Sequence, residues 1–380
     1  RALVTERTKH NDSCRSIARF AGLWHKAIAA SMKGNPAMRQ VIDVSPVARR
    51  LVVAAVLFLI GIGSPALAAS DVPGFDSWLE EVKKEARIKG ISEKVISEAL
   101  TDVTPVKRIL ERDRNQAEFK LTLDIYMNRV VTEQNVERGR NMARTHETLL
   151  AKIAERYGVQ PRFILAIWGI ETRFGLVKAT MPVIPAVATL AFDRRRSSYF
   201  RAQLFSTLSM LERGYIDLPN LKGSWAGAMG QPQFMPSSYM AYAVDFDGDG
   251  RRDIWNNTGD VLGSIANYLA KHKWQPDLTW GREVKVPKGI QAVTGPHDTR
   301  AAPGCRAKTS SKRTLAEWQA AGVRRLDGRD LPSREISAAL VEQNGRAFLV
   351  YSNYASVMAY NCAHLYALTV GILSDRIAGK

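Results

Sequence analysis

The residue of this sequence best placed for chemistry is Glu171, at the end of the apolar segment 161–171. A helix would place Ile167, Trp168 and Glu171 on one face, because they recur at three- and four-residue spacing. A charge among apolar neighbours is costly unless it is paired or protonated. We therefore interpret Glu171 as a carboxyl that keeps its proton near neutral pH and donates it, as glycosidic bond cleavage requires. The alternative is a helix-terminal glutamate paired with Arg173 or another cation.

A glycine-rich stretch at 223–239 reads Gly-Ser-Trp-Ala-Gly-Ala-Met-Gly-Gln-Pro-Gln-Phe-Met-Pro-Ser-Ser-Tyr. Its small side chains would let a ligand or another chain segment approach the backbone closely. Ser224 and Gln233 could supply hydrogen bonds to hydroxyl and acetamido groups of a sugar. The alternative is a tight loop between packed helices. A phosphate-binding loop is excluded, since the Gly-Lys-Ser/Thr ending is absent.

An acidic loop follows, with Asp at alternate positions and then Gly250, as in the first half of an EF-hand. Asn256 occupies the twelfth position, where an EF-hand has its closing acid. Such hard oxygen ligands favour Ca²⁺. The alternative is an Asp-rich turn without a metal. The candidate ligands are Asp245, Asp247, Asp249, the carbonyl of Arg251 and, closing a lengthened loop, Asp260.

A set of tyrosines with one asparagine completes the candidate groove. Aromatic faces with hydroxyl tips suit pyranose rings, which are apolar on their faces and polar around the rim. For any single tyrosine the alternative is packing in the core. The set is Tyr126, Tyr268, Tyr360, Asn361 and Tyr366.

The elements that must position these residues are mostly helical. We predict an N-terminal helical domain at 70–150, in which Ser77 and Glu80 form a capping box. A helical core with the acidic loop follows at 151–275. Short strands and turn-rich stretches indicate a small β-containing insert at 276–348. The chain then returns to the core as helix at 349–380, continuous over residues 355–377.

The net charge of +17 and the pI near 9.9 favour anionic polymers as partners. Nucleic acid, an acidic lipid surface and a cell-wall polyanion all fit, and a non-specific basic surface is the alternative. No helix-turn-helix, zinc-finger or RNP pattern supports nucleic acid. Cys305 and Cys362 either form a disulfide or remain two buried thiols, because spacing alone does not give their distance.

Residues 38–68 are typical of a secretory signal peptide. An arginine pair precedes the apolar run 51–62, and the small residues 66–68 suit a cleavage site. A membrane anchor is the alternative, but the run is shorter than the roughly 20 residues that a span needs. We predict a periplasmic, exported protein without a stable membrane span. We expect residues 1–37 to be an over-extended, disordered start of the chain.

Four segments in this order resemble the B-type family of lytic murein transglycosylases, and the resemblance covers residues 75–377. They are Ile-Glu-Thr-Arg-Phe-Gly at 170–175, Lys-Gly-Ser-Trp-Ala-Gly-Ala-Met-Gly at 222–230, Gln-Phe-Met-Pro-Ser-Ser-Tyr at 233–239 and Gly-Ser-Ile-Ala-Asn-Tyr at 263–268. The resemblance implies a mainly α (α+β) protein. Its parts would be a lysozyme-like helical core, an N-terminal helical domain and a small β insert.

The resemblance also implies an activity. The family cleaves the β-1,4 bond between N-acetylmuramic acid and N-acetylglucosamine in peptidoglycan without water, leaving 1,6-anhydromuramic acid ends. Its single catalytic glutamate corresponds to Glu171, which would act first as acid and then as base. No cofactor is implied for the chemistry, and the calcium would be structural, with Asp260 matched after a one-residue insertion. Its sugar-contacting residues correspond to Tyr126, Ser224, Gln233, Tyr268, Tyr360, Asn361 and Tyr366.

The same residues are compatible with other functions. A hydrolytic muramidase would admit water and give reducing ends, and a non-catalytic scaffold would bind the wall through the same groove. A nucleic-acid binder is disfavoured by the export signal. The expected partner is the glycan strand of peptidoglycan, with no nucleic acid, and we expect a monomer.

Overall fold

The computed structural model describes residues 72–114, 121–290, 299–300, 305 and 307–380. These residues all belong to the compact unit Ala69–Lys380. The predicted signal peptide at 38–68 and the over-extended start at 1–37 lie outside the described residues.

The described part of the chain begins with a run of helices. Helix α1 starts at Phe75, and Gly74 is its N-cap residue, so the capping box predicted at Ser77 is wrong. The helix starts earlier because Phe75, only 2% exposed, is buried in the core. The run consists of α1 (Phe75–Ile88), α2 (Glu93–Leu100), α3 (Lys107–Arg114), α4 (Leu123–Val130), α5 (Glu133–Thr145) and α6 (Glu147–Tyr157).

The central helices surround the segment that carries Glu171. Helix α7 (Pro161–Thr172) begins with proline in its first turn, where the missing N–H costs nothing, and residues 163–169 are all buried. Strand β1 (Met181–Pro182), which leads into the helix that starts at Val183, pairs antiparallel with β2 (Lys222–Gly223), where the glycine-rich loop begins. The remaining helices here are α8 (Val183–Phe192), α9 (Ser197–Glu212), α10 (Pro236–Tyr242) and α11 (Thr258–Lys271).

The predicted β insert is a small antiparallel sheet with the strand order β6-β8-β9-β3-β7. Trp318 and Leu340 lie in a hydrophobic cluster that belongs to this sheet and its helix. A separate two-stranded pair is formed by β4 and β5. The elements are β3 (Gly281–Lys285), β4 (Thr299–Arg300), β5 (Lys308–Thr309), β6 (Arg313–Thr314), α12 (Leu315–Ala320), β7 (Arg324–Arg325), β8 (Ser337–Gln343) and β9 (Arg346–Val350).

The C-terminal segment is two helices, α13 (Ser352–Tyr360) and α14 (His364–Ile377), and not the continuous helix predicted over 355–377. The two are bent by 117°. Among the described residues no single helix is long and apolar enough to cross a membrane. Helices α13 and α14 have that length and apolar composition only when they are counted together.

Two large hydrophobic clusters hold the helices together. One unites residues of α4–α7, α11, α13 and α14 with part of the sheet. The other unites α1 and α2 with α8, α9, α10 and α11. The N-terminal helices therefore share their cores with later helices. The division into domains at 70–150, 151–275, 276–348 and 349–380 stays a prediction.

Candidate active site

Glu171 lies in the last turn of α7, half-buried, with Thr172 as the final helical residue. The helix ends because Arg173, Phe174 and Gly175 all have positive φ, at 52°, 61° and 79°. This left-handed turn is closed by the amide of Gly175, which donates to Thr172 Oγ1 at 3.2 Å. The chain therefore leaves the helix one residue after the glutamate.

The carboxylate of Glu171 accepts a hydrogen bond from a phenol that is distant in sequence. Tyr366 Oη donates to Glu171 Oε1 at 2.7 Å. Burial, and then the negative charge of Glu171, raise the pKa of Tyr366 well above its usual range. The hydroxyl of Tyr366 therefore stays protonated and remains a donor to the carboxylate.

The predicted tyrosines come together around this hydrogen bond. The ring of Tyr360 stacks on Tyr366 with centroids 6.3 Å apart, and it contacts the ring of Tyr268 at 4.7 Å. The phenol of Tyr126 also raises the pKa of Tyr366, although by less than burial, Glu171 and Tyr360 do. Tyr126 therefore lies near Tyr366. The structure thus brings all four tyrosines to one place.

Two of these tyrosines have hydroxyls that the protein already uses. Tyr360 Oη donates to the carbonyl of Pro232 at 2.6 Å, and Tyr268 Oη donates to the carbonyl of Ala359 at 2.7 Å. Burial raises the pKa of both phenols, so both remain donors. Neither hydroxyl is therefore free for a ligand, and the ring of Tyr268, which is 7% exposed, is itself stacked on His272 at 4.2 Å.

The glycine-rich loop is folded back on itself. The amide of Ala228 donates to Ser224 Oγ at 3.1 Å, and the amide of Ser224 donates to the Ala228 carbonyl at 2.7 Å. Because Ser224 Oγ accepts from its own loop, its proton can be directed to a ligand. Gln233 has a positive φ of 52°, and its Nε2 donates to the carbonyl of Gly230 at 2.9 Å. A β-carbon at Gly227, where φ is 84°, would meet Val187 at 2.4 Å, so the loop packs as closely as its small residues allow.

Gln231 links α7 to this loop and was not among the site residues predicted from the sequence. Its Oε1 accepts from Trp168 Nε1 at 2.8 Å, and its Nε2 donates to the carbonyl of Trp255 at 2.8 Å. Its carbonyl accepts from Thr172 Oγ1 at 3.0 Å. Gln231 therefore holds the turn that carries Glu171. The available signal was its place in the glycine-rich motif, two residues before Gln233.

Asn361 is exposed, directly after the last residue of α13. The next residue, Cys362, forms a disulfide with Cys305, with their Cα atoms 5.4 Å apart. The structure thus decides between the two alternatives for these cysteines. The disulfide ties the break between α13 and α14 to Cys305, and this break separates Tyr360 from Tyr366.

The acidic loop gathers three of its predicted ligands. One carboxylate oxygen from each of Asp245, Asp247 and Asp249 lies within 4.8 Å of the others. A hydrogen bond from the Asn257 side chain lowers the pKa of Asp247. Arg251 is exposed beside them, and its amide donates to Asp249 Oδ1 at 2.8 Å. Three hard oxygen donors at this spacing suit Ca²⁺.

Asp260 is fully buried and lies outside that group of three acids. Its Oδ1 accepts from the amide of Phe246 and its Oδ2 from the amide of Asp253, both at 2.7 Å. Burial raises the pKa of Asp260, and these two amides oppose the shift. Asp260 therefore ties together two parts of the acidic loop through the backbone.

The chain matches the family described as Transglycosylase SLT domain over residues 74–375. This protein belongs to the SLT transglycosylase family. Membrane-bound lytic murein transglycosylase B of Escherichia coli is 34% identical over 257 residues, which are 67% of this chain. The aligned part spans 66% of the length of that relative.

Solved structures resemble this SLT transglycosylase domain closely. SltB3 from Pseudomonas aeruginosa in complex with NAG-anhNAM-pentapeptide is 35% identical with a TM-score of 0.72, covering 81% of this chain and 80% of that chain. The Escherichia coli lytic transglycosylase Slt35 in complex with calcium is 29% identical with a TM-score of 0.66, covering 82% and 94%. These matches and the observed elements confirm the predicted fold class, mainly helical with a small sheet.

Proposed function

We propose that this SLT transglycosylase cleaves the β-1,4 bond between N-acetylmuramic acid and N-acetylglucosamine in peptidoglycan, leaving 1,6-anhydromuramic acid ends. The observation that carries the proposal is the hydrogen bond of 2.7 Å between Tyr366 Oη and Glu171 Oε1. This bond joins one carboxyl to a phenol that stays protonated, and the ring of that phenol stacks on Tyr360.

The proposed reaction uses Glu171 twice. Glu171 first donates its proton to the bridging oxygen, and the bond from this oxygen to C1 of the muramic acid breaks. The substrate's 2-acetamido group stabilises the positive charge at C1. The ionised Glu171 then accepts the proton of the 6-hydroxyl, whose oxygen bonds to C1. The proton returns to the same carboxyl, so no second acid is required, unlike in two-carboxylate glycosidases.

The surrounding residues support both halves of this cycle. A donor at Oε1 stabilises the ionised carboxylate between the two steps. The half-buried ring of Tyr360 is proposed to offer an apolar face to a pyranose. Tyr268, only 7% exposed, is proposed to support that ring from a centroid distance of 4.7 Å. Ser224, Gln233, Asn361 and Tyr126 are proposed to contact the sugars through hydrogen bonds.

The experiment is digestion of purified peptidoglycan with mass analysis of the soluble products. Anhydro ends weigh one water less than the reducing ends that a hydrolytic muramidase would release. Glu171→Gln keeps the side-chain size but removes the titrating proton, so turnover should be abolished while glycan binding is retained. Glu155→Gln, an exposed glutamate on α6, is the matched control and should digest normally.

The outcomes separate the rival functions. Reducing ends from the unaltered protein would support the muramidase instead. Binding to peptidoglycan without release of fragments would support a scaffold. Full activity of Glu171→Gln would refute the assignment of the acid.

We extend the proposal to a structural Ca²⁺ bound by Asp245, Asp247, Asp249 and the carbonyl of Arg251. The close spacing of the three carboxylates supports it. Slt35, a relative at 29% identity, was crystallised in complex with calcium. Asp260 is proposed as a further ligand, and for this one of its oxygens would have to turn from its amide partner.

The proposed location is the periplasm. Peptidoglycan lies outside the cytoplasmic membrane, and disulfides persist in oxidising compartments. The bond between Cys305 and Cys362 supports such a location. The proposed signal peptide at 38–68 would supply the export.

A further inference from the structure

The β-containing insert carries a cluster of arginines around one buried tyrosine. Tyr351 is only 3% exposed and lies between β9 and α13. Its hydroxyl accepts from Arg282 Nε at 2.7 Å, and the guanidinium carbon of Arg282 lies 6.0 Å from the centroid of the Tyr351 ring. Among the described residues the hydroxyl's own proton has no acceptor. Burial raises the pKa of Tyr351, so this proton stays in place and can be donated to a ligand.

A second guanidinium reaches the same tyrosine from the neighbouring strand. Arg282 and Val284 lie on one face of β3, as residues two apart on a strand do. Val284 pairs directly with Arg325 on β7, so Arg325 lies on that face as well. Burial raises the pKa of Tyr351, whereas the charges of Arg282 and then Arg325 lower it. Tyr351 therefore has a cation beside it from each of two paired strands.

A third cation comes from the loop before β8. Arg334 is exposed, and its charge also opposes the rise that burial causes in the pKa of Tyr351. Arg334 therefore lies near the same phenol. Three separate segments of the chain thus bring a guanidinium to this part of the insert.

The donors of these arginines are largely unused. The Nε atom of Arg325 is buried, and within the described part of the chain it has no hydrogen-bond partner. A buried polar atom without a partner is uncommon in folded proteins, and a bound ion is one explanation of such an atom. Within the same described residues, none of Arg282, Arg325 and Arg334 forms an ion pair with an acid.

The acids of the turn after β7 are engaged by other arginines. Asp327 Oδ2 accepts from Arg329 Nε at 2.7 Å, and Arg329, with a smaller effect from Arg325, lowers the pKa of Asp327. Asp330 pairs with Arg324 at 3.2 Å. The turn therefore neutralises its own acids without using the guanidinium of Arg325 in an ion pair.

Two further acids flank the cluster along the chain. Glu283 lies on the opposite face of β3 and accepts from Arg346 at 2.6 and 2.7 Å. Glu335, which follows Arg334, is exposed, so solvent screens its charge. The field around Tyr351 is therefore positive, and it attracts anions.

We propose that Arg282, Arg325 and Tyr351 bind a phosphate group. Guanidinium groups bind oxyanions through paired hydrogen bonds, and the phenol supplies one further donor. A phosphate group offers acceptor oxygens in several directions, which suits donors that come from two strands and a loop. Arg334 adds a third positive charge to the site. Free phosphate and a lipid headgroup share this chemistry, and Leu326, 48% exposed beside Arg325, would face an apolar surface in the second case.

The test is a titration with inorganic phosphate at constant ionic strength, followed by the phosphorus NMR line width. We expect the unaltered protein to bind, and the double variant Arg282→Gln/Arg325→Gln to bind about tenfold more weakly or worse, because charge-assisted hydrogen bonds are lost. Tyr351→Phe keeps both cations and should bind about threefold more weakly. Acetate that displaced phosphate at equal concentration would overturn the choice of a phosphate group.

The matched control is Arg324→Gln/Arg329→Gln. It removes the same charge from the same turn, but from arginines that pair with Asp330 and Asp327. It should keep the affinity for phosphate, and an equal loss in this control would show a general charge effect and overturn the site. No binding by the unaltered protein would also overturn it.

A milder variant covers the case in which the double variant does not fold, as circular dichroism would show. Arg325→Lys keeps the charge but loses the guanidinium fork, so it should bind phosphate about threefold more weakly. Unchanged affinity in both Arg325→Lys and Tyr351→Phe would overturn the proposal even without the double variant.

Sedimentation with vesicles distinguishes the two sources of the phosphate group. The vesicles contain phosphatidylcholine, with or without phosphatidylglycerol. Sedimentation that needs phosphatidylglycerol, is lost in Arg282→Gln/Arg325→Gln and is kept in Arg324→Gln/Arg329→Gln would support a lipid headgroup. Binding of inorganic phosphate without such sedimentation would support a soluble phosphate.

This site goes beyond the proposed cleavage and is tested apart from it. Glu171→Gln should bind phosphate as the unaltered protein does, because Glu171 lies on α7 and the arginines lie in the insert. Cleavage of peptidoglycan without phosphate binding would overturn the site alone. Phosphate binding without cleavage would overturn the activity alone.

Discussion

Tyr366 Oη lies 2.7 Å from Glu171 Oε1 although 195 residues separate the two in the chain. The donor comes from α14 and the acceptor from α7, and these helices pack in the same hydrophobic cluster. The acid of the site is therefore positioned by the packing of the C-terminal helix against the catalytic helix.

Removing the Tyr366 hydroxyl should slow turnover. In Tyr366→Phe the ionised Glu171 loses a donor, and hydrogen bonds to charged groups contribute about 1.5–3 kcal/mol. We expect kcat to fall by about tenfold to a hundredfold with a smaller change in KM, because the bond matters most when the carboxylate is ionised. The measurement is the rate of release of soluble fragments from peptidoglycan.

Tyr351→Phe is the control for this variant. Tyr351 is also buried, but its hydroxyl accepts from Arg282 in the sheet. Its loss should leave kcat unchanged. Equal rates for Tyr366→Phe and the unaltered protein would show that the bond has no role in turnover.

Gln231 should act as a positioning residue. In Gln231→Ala the Trp168 indole and the Trp255 carbonyl each lose a partner, which costs about 1–3 kcal/mol for each buried group left unsatisfied. We expect a lower Tm and a kcat about tenfold lower, because the turn carrying Glu171 is less well held. Gln231→Glu should restore the bond from Trp168 but not the bond to Trp255. Gln275→Ala, at an exposed position, serves as control and should match the unaltered protein.

Substitutions at Asp247 and Asp260 should change the response of the Tm to calcium in different ways. Asp247→Asn removes one carboxylate of the gathered three, so the rise in Tm on adding Ca²⁺ should shrink. A ligand at a hundred times its Kd adds about 2.7 kcal/mol to the free energy of unfolding, and this gain should be lost on chelation. Thermal unfolding with Ca²⁺ and with EDTA measures both effects.

Asp260→Asn should lower the Tm with and without Ca²⁺. Its new amide would place a donor against the backbone N–H of Phe246 or Asp253, where a carboxylate oxygen now accepts. If instead Asp260→Asn lowered the Tm only when calcium is present, its backbone role would be contradicted.

His364 should make the fold less stable in acid. Burial lowers the pKa of His364, whereas the unfolded chain takes up this proton near pH 6.5. The contribution of His364 to the free energy of unfolding is therefore complete above about pH 6.5 and is lost as the pH falls through the folded pKa. His364→Gln cannot titrate, and it should show a shallower fall between pH 7 and pH 5 in urea titrations. The same slope for both proteins would contradict this assignment.

Much of the local structure could be predicted from the sequence. The segment 161–171 corresponds closely to α7, since proline at the first turn and a continuous apolar run act within the helix itself. The short strands predicted for the β-containing insert are present as β3, β8 and β9. The continuous helix at 355–377 was wrong, because the chain breaks at 361–363 next to Cys362. The residues near this break do not predict it, because the disulfide partner Cys305 lies 57 residues away in the chain.

By itself the sequence determined which residues could do chemistry, namely the helix-terminal Glu171, the glycine-rich loop and the alternating acids. Backbone periodicity and side-chain chemistry act over a few residues and can be read directly. The tertiary structure alone decided that Tyr366 meets Glu171, that Gln231 holds the catalytic turn and that Asp260 binds loop amides. Such contacts depend on how separate helices pack, and residue spacing along the chain carries no information about that distance.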